Sequence, residues 1–203
     1  LKSGTRAFSF TTVDAWHITL DLRFSNSNKT EKAEELTYLF NGGGFNAGQD
    51  DDGNTVDTYN EKYEPQTVDI PSDAKKVELV VALSGHGFGG TYNCAEFCNA
   101  QHHFYVNGTD NLIDTPEATD QDSCLEQVAS GTTPNQGGTW WFGRSNWCPG
   151  KEVQLKSVDI TEQVTLGQAN SFEYAGYDPY GNPHTGGGDH VSIKMNSWVV
   201  VHK

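Results

Sequence analysis

The sequence predicts an all-β protein, an antiparallel sandwich or jelly roll, from three observations. Apolar residues recur in short runs of strand length, alternating or continuous, between polar connections rich in Gly, Pro, Asn and Asp. No stretch carries a convincing apolar stripe of helical period, and no segment repeats. Composition agrees, since 11% of residues are aromatic and 22 are glycine, a mix that suits strands and turns better than helices. With 203 residues and no dividing linker, the chain reads as one domain over residues 1–203, long enough to bury a core.

In chain order, residues 7–10 are a first short strand candidate. Trp16, Ile18, Leu20, Leu22 and Phe24 then alternate with His17, Thr19, Asp21 and Arg23, the clearest period-two strand in the sequence. Residues 31–40 fit a short helix or a strand, and periodicity does not choose. Residues 67–70 form a strand closed by a turn at Pro71. Residues 77–83, apolar except for Glu78, read as a central strand, and 104–106 as another. A long polar connection carrying Cys124 is expected from Gly108 to Gly138, tethered by a disulfide. Strands are expected over 153–160 and 172–174, a loop over 177–189, and a last strand from Val191 to Val201.

Thirteen Lys and Arg against 27 Asp and Glu give a net charge of −14, which argues against a nucleic-acid partner and an anionic membrane surface. The carboxylates are scattered, apart from Asp50 to Asp52, so the acidity reads as solubility. No apolar run is long enough to cross a bilayer, and any targeting segment is expected to have been removed or to lie outside the sequence. Cys94, Cys98, Cys124 and Cys148 are not spaced as a zinc ribbon. Of three possible pairings the simplest is Cys94–Cys98 with Cys124–Cys148, which implies an oxidising compartment: extracellular, periplasmic or cell surface. Sequons at Asn28 and Asn107 are compatible with secretion.

Candidate chemistry concentrates in a Gly-rich segment from Leu83 to Gly108. Glu96 stands between Cys94 and Cys98, where a small disulfide ring fixes local geometry and holds one carboxylate in one orientation. A decorated hairpin turn with an exposed Glu explains it equally well. Arg144 and Trp147 suit a sugar-stacking platform, with pyranose C–H groups on the indole and hydrogen bonds from the guanidinium. The competing reading has Trp140, Trp141 and Trp147 plugging one end of the sandwich. His86, His102, His103 and His190 each read first as satisfied or surface histidines, and adjacent His102 and His103 point to opposite faces of a strand. Asp50, Asp52, Asn54 and Glu61 fall at the spacing of a calcium loop. Gly53 is misplaced for that loop and no helices flank it, so a solvated acidic turn is read before a calcium site.

Taken together, Ser84-Gly85-His86-Gly87, Cys94-Ala95-Glu96-Phe97-Cys98, His102 with the strand after it, Arg144-x2-Trp147-Cys148-Pro149-Gly150 and Gly188-Asp189 resemble one family. It is the peptide-N-glycosidase F family, in its C-terminal domain, from about Tyr63 to Lys203. The resemblance implies an eight-stranded antiparallel jelly roll with the same disulfide pairing. It implies hydrolysis of the amide joining an asparagine side chain to the first sugar of an N-glycan, giving aspartate and a glycosylamine, with no cofactor required. Glu96 matches an active-site glutamate, Arg144 and Trp147 match residues of the same cleft, and His86 stands at a bordering position where the family has tryptophan. The resemblance also implies a catalytic aspartate on a separate N-terminal jelly roll, for which residues 1–62 are too short. The expected partners are therefore an N-glycan or glycopeptide and a second jelly-roll domain. Two alternatives are a non-catalytic glycan- or peptide-binding module and a copper-binding jelly roll similar to peptidylglycine monooxygenase domains, using His102, His103 and His190 or Met195.

Overall fold

The computed structural model describes residues 9, 32–44, 48–49, 55–56, 59–88, 95–134, 136–184 and 191–203. Contacts divide the chain into Leu1–Thr30 and Glu31–Lys203, and the two sheets belong to the second unit. The alternating strand at Trp16 to Phe24, the acidic residues Asp50, Asp52 and Asn54, Cys94 and His190 lie outside the described residues.

The strands are β1 (Ala33–Asn41), β2 (Gly48–Gln49), β3 (Thr55–Val56), β4 (Gln66–Ile70), β5 (Lys76–His86), β6 (Gln101–Val106), β7 (Thr109–Asp114), β8 (Leu155–Asp159), β9 (Gln168–Tyr177) and β10 (Ser192–His202). Eight of them build two antiparallel four-stranded sheets, ordered β1-β10-β5-β8 and β4-β9-β6-β7, while β2 and β3 pair by themselves. The all-β, eight-stranded antiparallel fold expected from the sequence is present.

Each sheet turns one set of alternate residues inward, as a strand's period of two requires. From β5 these are Val77, Leu79, Val81 and Leu83, and from β10 Ile193, Met195, Val199 and Val201. The opposite sheet supplies Phe104 and Val106 of β6 and Phe172 and Tyr174 of β9. As expected, β5 is central, lying between β10 and β8.

Residues 31–40, undecided by periodicity, contain most of β1, an edge strand whose Ala33 to Tyr38 are exposed and whose Leu39 and Phe40 enter the core. Exposure on both faces removes the alternation that would have marked it. The connection expected after Gly108 begins instead with strand β7, paired to β6 through a turn at Asn107 and Gly108. Its inward positions are Asn111 and Ile113, while Leu112 faces out at 49% exposure, so the apolar pattern of a strand is absent. Asn111 is accepted in the interior because its amide donates to Phe104 O and Gln163 Oε1, at 3.1 and 2.8 Å. The rest of the segment folds into short turns closed by the Cys124–Cys148 disulfide. Among the described residues this is the one bridge defined at both ends. Cys98 is also disulfide-bonded, and Cys94, its expected partner, lies outside the described residues.

Candidate functional site

The C-terminal end of β5 is the anchor. Its last residues, Leu83 to His86, receive two loops on their backbone: the turn bearing Glu96 and the segment Arg144 to Cys148. Asn146 Nδ2 donates to Leu83 O at 2.9 Å, Trp147 Nε1 donates to Gly85 O at 2.7 Å, and Gly85 N donates to Ser145 O at 3.2 Å. Gly85 has no substitute at this position. A Cβ would overlap the Ala95 carbonyl and come within 2.9 Å of Ser145 Cβ. The two loops also tie to each other, through Ser145 N to Glu96 O at 2.9 Å and Ser145 Oγ to Cys98 O at 2.9 Å.

Glu96 is held from several sides and is only 8% exposed. Ala95 before it has φ of 123°, a conformation costly for a residue with a Cβ, so the surrounding bonds impose the turn rather than follow it. Gly87 N donates to Glu96 Oε2 at 2.8 Å, and Arg144 Nη1 forms an ion pair with Oε1. Both carboxylate oxygens therefore act as acceptors, the arrangement of an ionised group.

Arg144 is 1% exposed, an unusual place for a guanidinium. Burial pushes its pKa down, and the structure offsets that with Glu96, with Thr139 O at 2.8 Å from Nη2, and with two aromatic rings. The guanidinium carbon lies 4.9 Å from the Phe97 ring centre and 4.7 Å from that of Trp147. His86 stacks on Trp147 at 5.1 Å and shares a 2.8 Å hydrogen bond with Ser84 Oγ. Its pKa is lowered, first by burial and then by the charges of Lys194 and Arg144. The structure thus brings together Glu96, Arg144, Trp147 and His86, as one stack around a fixed carboxylate in which Glu96 and Arg144 are buried and Trp147 and His86 half-buried.

Beside this stack is a cavity of about 770 Å³ whose described walls include Glu96, Phe88, Phe97, Phe142, Asp120, Gln121 and Thr139. Phe97 meets Phe88 and Phe142 edge to face, with ring centres 6.4 and 6.3 Å apart. Sequence reasoning did not single out Phe97, Phe142, Asp120 or Gln121. Phe97 was legible as the neighbour of Glu96, but Asp120 and Gln121 belong to the polar connection after β7 and carry no local signal.

The other candidates lie elsewhere. His102 is fully buried in the core and His103 is on the opposite face of β6, bonded to Asp110 Oδ2 at 2.8 Å. His102 Nδ1 shares a 2.9 Å hydrogen bond with the Tyr174 hydroxyl, and burial pushes its pKa down to about 3. Met195 is packed in the core. Glu61 is in a short helical turn, Asn60–Lys62. Among the described residues no group of three or more His, Cys, Asp or Glu is placed to hold a metal ion.

The family model described as Peptide-N-glycosidase F, C terminal, matches residues 54–200, a span that includes every residue of this stack. The chain belongs to this family. Among solved structures it is similar to a peptide-N(4)-(N-acetyl-beta-D-glucosaminyl) asparagine amidase, with a TM-score of 0.60 and 18% identity, covering 83% of this chain and 51% of that one. It is also similar to PNGase F, a glycosylasparaginase from Flavobacterium meningosepticum, with a TM-score of 0.56 and 17% identity, covering 82% and 51%. PNGF-II aligns with a TM-score of 0.52 and 16% identity, covering 84% of this chain and 30% of that chain. At these identities the likeness is one of fold, and the chain spans about half the length of the first two structures. No curated protein matches by sequence.

Proposed function

We propose that this chain supplies one wall of a cleft for the N-glycosylated asparagine of a glycopeptide, with Glu96 as its principal polar group. The observation that supports this most is a carboxylate fixed by Arg144 and Gly87 N–H at the edge of an aromatic cavity. Membership of the peptide-N-glycosidase F family gives that carboxylate a substrate class. Each Glu96 oxygen has two lone pairs and, among the described residues, Gly87 N–H and Arg144 take one on each, so it can also accept hydrogen bonds from the sugar, the amide N–H or a water. Arg144 and Trp147 position it from beneath, and His86 buttresses Trp147.

Hydrolysis proceeds by addition of water to the asparagine side-chain carbonyl and cleavage of the bond from that carbon to nitrogen. It leaves aspartate and a glycosylamine, and needs a second carboxylate on the far wall to activate the water. That group is expected from a second jelly-roll domain of the same or a partner chain. The Cys124–Cys148 disulfide favours an oxidising compartment, whether extracellular, periplasmic or at the cell surface. No described helix is long and apolar enough to cross a membrane.

The test is glycan release from a denatured glycopeptide by the chain with its flanking domains, compared with its Glu96→Gln variant. Release that survives Glu96→Gln unchanged, or no release by the unaltered protein, refutes the catalytic role. A second reading, a glycan-binding module without catalysis, is favoured by the ion pair with Arg144 that already occupies Glu96 Oε1. It predicts glycan-array binding that Trp147→Ala abolishes, and a blank array counts against it.

A further inference from the structure

We infer that the cavity beside Glu96 receives a cationic side chain, a lysine or arginine of the polypeptide next to the glycosylated asparagine, with Asp120 as its counter-ion. The inference rests on the glycopeptide reading above and adds the charge of the flanking residue.

Charge is the first argument. Of the two carboxylates in the described walls, Glu96 is matched by Arg144, while Asp120 Oδ1 accepts from the backbone N–H of Asp122 at 3.1 Å. Every described lining residue comes from between Lys76 and Arg144, a stretch with no lysine or arginine in it. The same stretch carries Asp122 and Glu126 close by in sequence, Glu117 being paired with Lys156 at 3.9 Å, and the whole chain has a net charge of −14. The described walls therefore set up a negative field and contribute no cation to it.

Shape is the second. Phe88, Phe97 and Phe142 form an edge-to-face series of phenyl walls, and Phe88 is 70% exposed at the mouth. Such walls fit the methylene stem of lysine or arginine, whose charged head would extend to Asp120. The molecule already contains one example, because the Arg144 guanidinium lies 4.9 Å from the Phe97 ring centre. A volume of about 770 Å³ holds such a side chain with part of its backbone. An acidic neighbour would be repelled, and an apolar one would desolvate Asp120 without pairing it.

The experiment uses the full chain and matched fluorescent peptides, each with a glycosylated asparagine and lysine, methionine or glutamate beside it. Binding is measured at low salt and at about 0.3 M salt, where exposed charges are largely screened. The lysine peptide is expected to bind about threefold more tightly than the methionine peptide at low salt, the size expected for an exposed ion pair, with glutamate weakest. Salt should shrink that ratio and Asp120→Asn should bring it near one, since the asparagine keeps an oxygen for Asp122 N–H. Gln121→Glu, which adds a carboxylate to the wall, should enlarge it. Equal affinities for the three peptides, or a ratio indifferent to Asp120→Asn, overturns the inference. A Phe142→Ala variant that weakens all three equally also overturns it, by marking the cavity as a sugar subsite. Unglycosylated copies run in parallel keep the two ideas apart: if they bind as well as the glycopeptides, the glycopeptide reading falls while the charge preference is still measured.

Discussion

Acidification should destabilise this protein through His102, and the size of the effect follows from where the ring sits. Its side chain is fully buried in the sheet of β6 and β9, with Nδ1 against the Tyr174 hydroxyl and Nε2 without a hydrogen-bond partner. Burial is the main reason that its pKa falls from 6.5 to about 3, with smaller contributions from His184 and His103. Folding therefore favours the neutral ring, and an unfolded chain binds the proton more readily. The stability due to neutral His102 is complete above about pH 6.5 and is lost as the pH falls from there toward about 3. Each pH unit inside that window costs up to about 1.4 kcal/mol. Between about pH 7.5 and pH 5 the loss is about 2 kcal/mol, a large part of the margin of a typical domain. The assay is urea denaturation of the protein and of His102→Gln across this range. Glutamine cannot titrate but keeps a polar contact for Tyr174, so the difference between the two proteins isolates the proton on His102. That difference should fall by about 2 kcal/mol on acidification. Parallel stability curves for the two proteins would refute the argument.

Three further predictions concern the site and its support. Glu96→Gln leaves the Arg144 guanidinium buried without a counter-charge and should cost about 2–4 kcal/mol in denaturation, part of which Arg144→Met restores in the double variant. Gly85→Ala forces the Ala95 carbonyl and Ser145 away from β5; a fall of several degrees in Tm is expected together with weakened glycopeptide binding, and an unshifted Tm contradicts the close approach. Replacing Cys124 and Cys148 with alanine should remove about 3 kcal/mol in urea denaturation, because the bridge spans a sequence separation of 24, and reductant should destabilise the unaltered protein by at least as much, since it also opens the bridge at Cys98.

The sequence by itself determined the fold class, the central strand and the family. Alternation and apolar runs are local consequences of a strand having one buried face, so 77–83 and the last strand could be read without neighbours. Ser84-Gly85-His86-Gly87, Cys94-Ala95-Glu96-Phe97-Cys98 and Arg144-x2-Trp147-Cys148-Pro149-Gly150 are likewise local motifs, which is why Glu96, Arg144, Trp147 and His86 could be named together as candidates through the family resemblance. Tertiary structure decided what those residues do to one another. The burial of Arg144 beneath Phe97 and Trp147, its pairing with Glu96, and the closure of both loops on Gly85 depend on segments far apart in sequence. Strand β7 was hidden because its inward positions are Asn111 and Ile113, and a buried asparagine is tolerated only where Gln163 and Phe104 O receive its amide. Asp120 had no signal for the same reason. An acidic residue in a polar loop is ordinary until the fold sets it in the wall that contains Glu96.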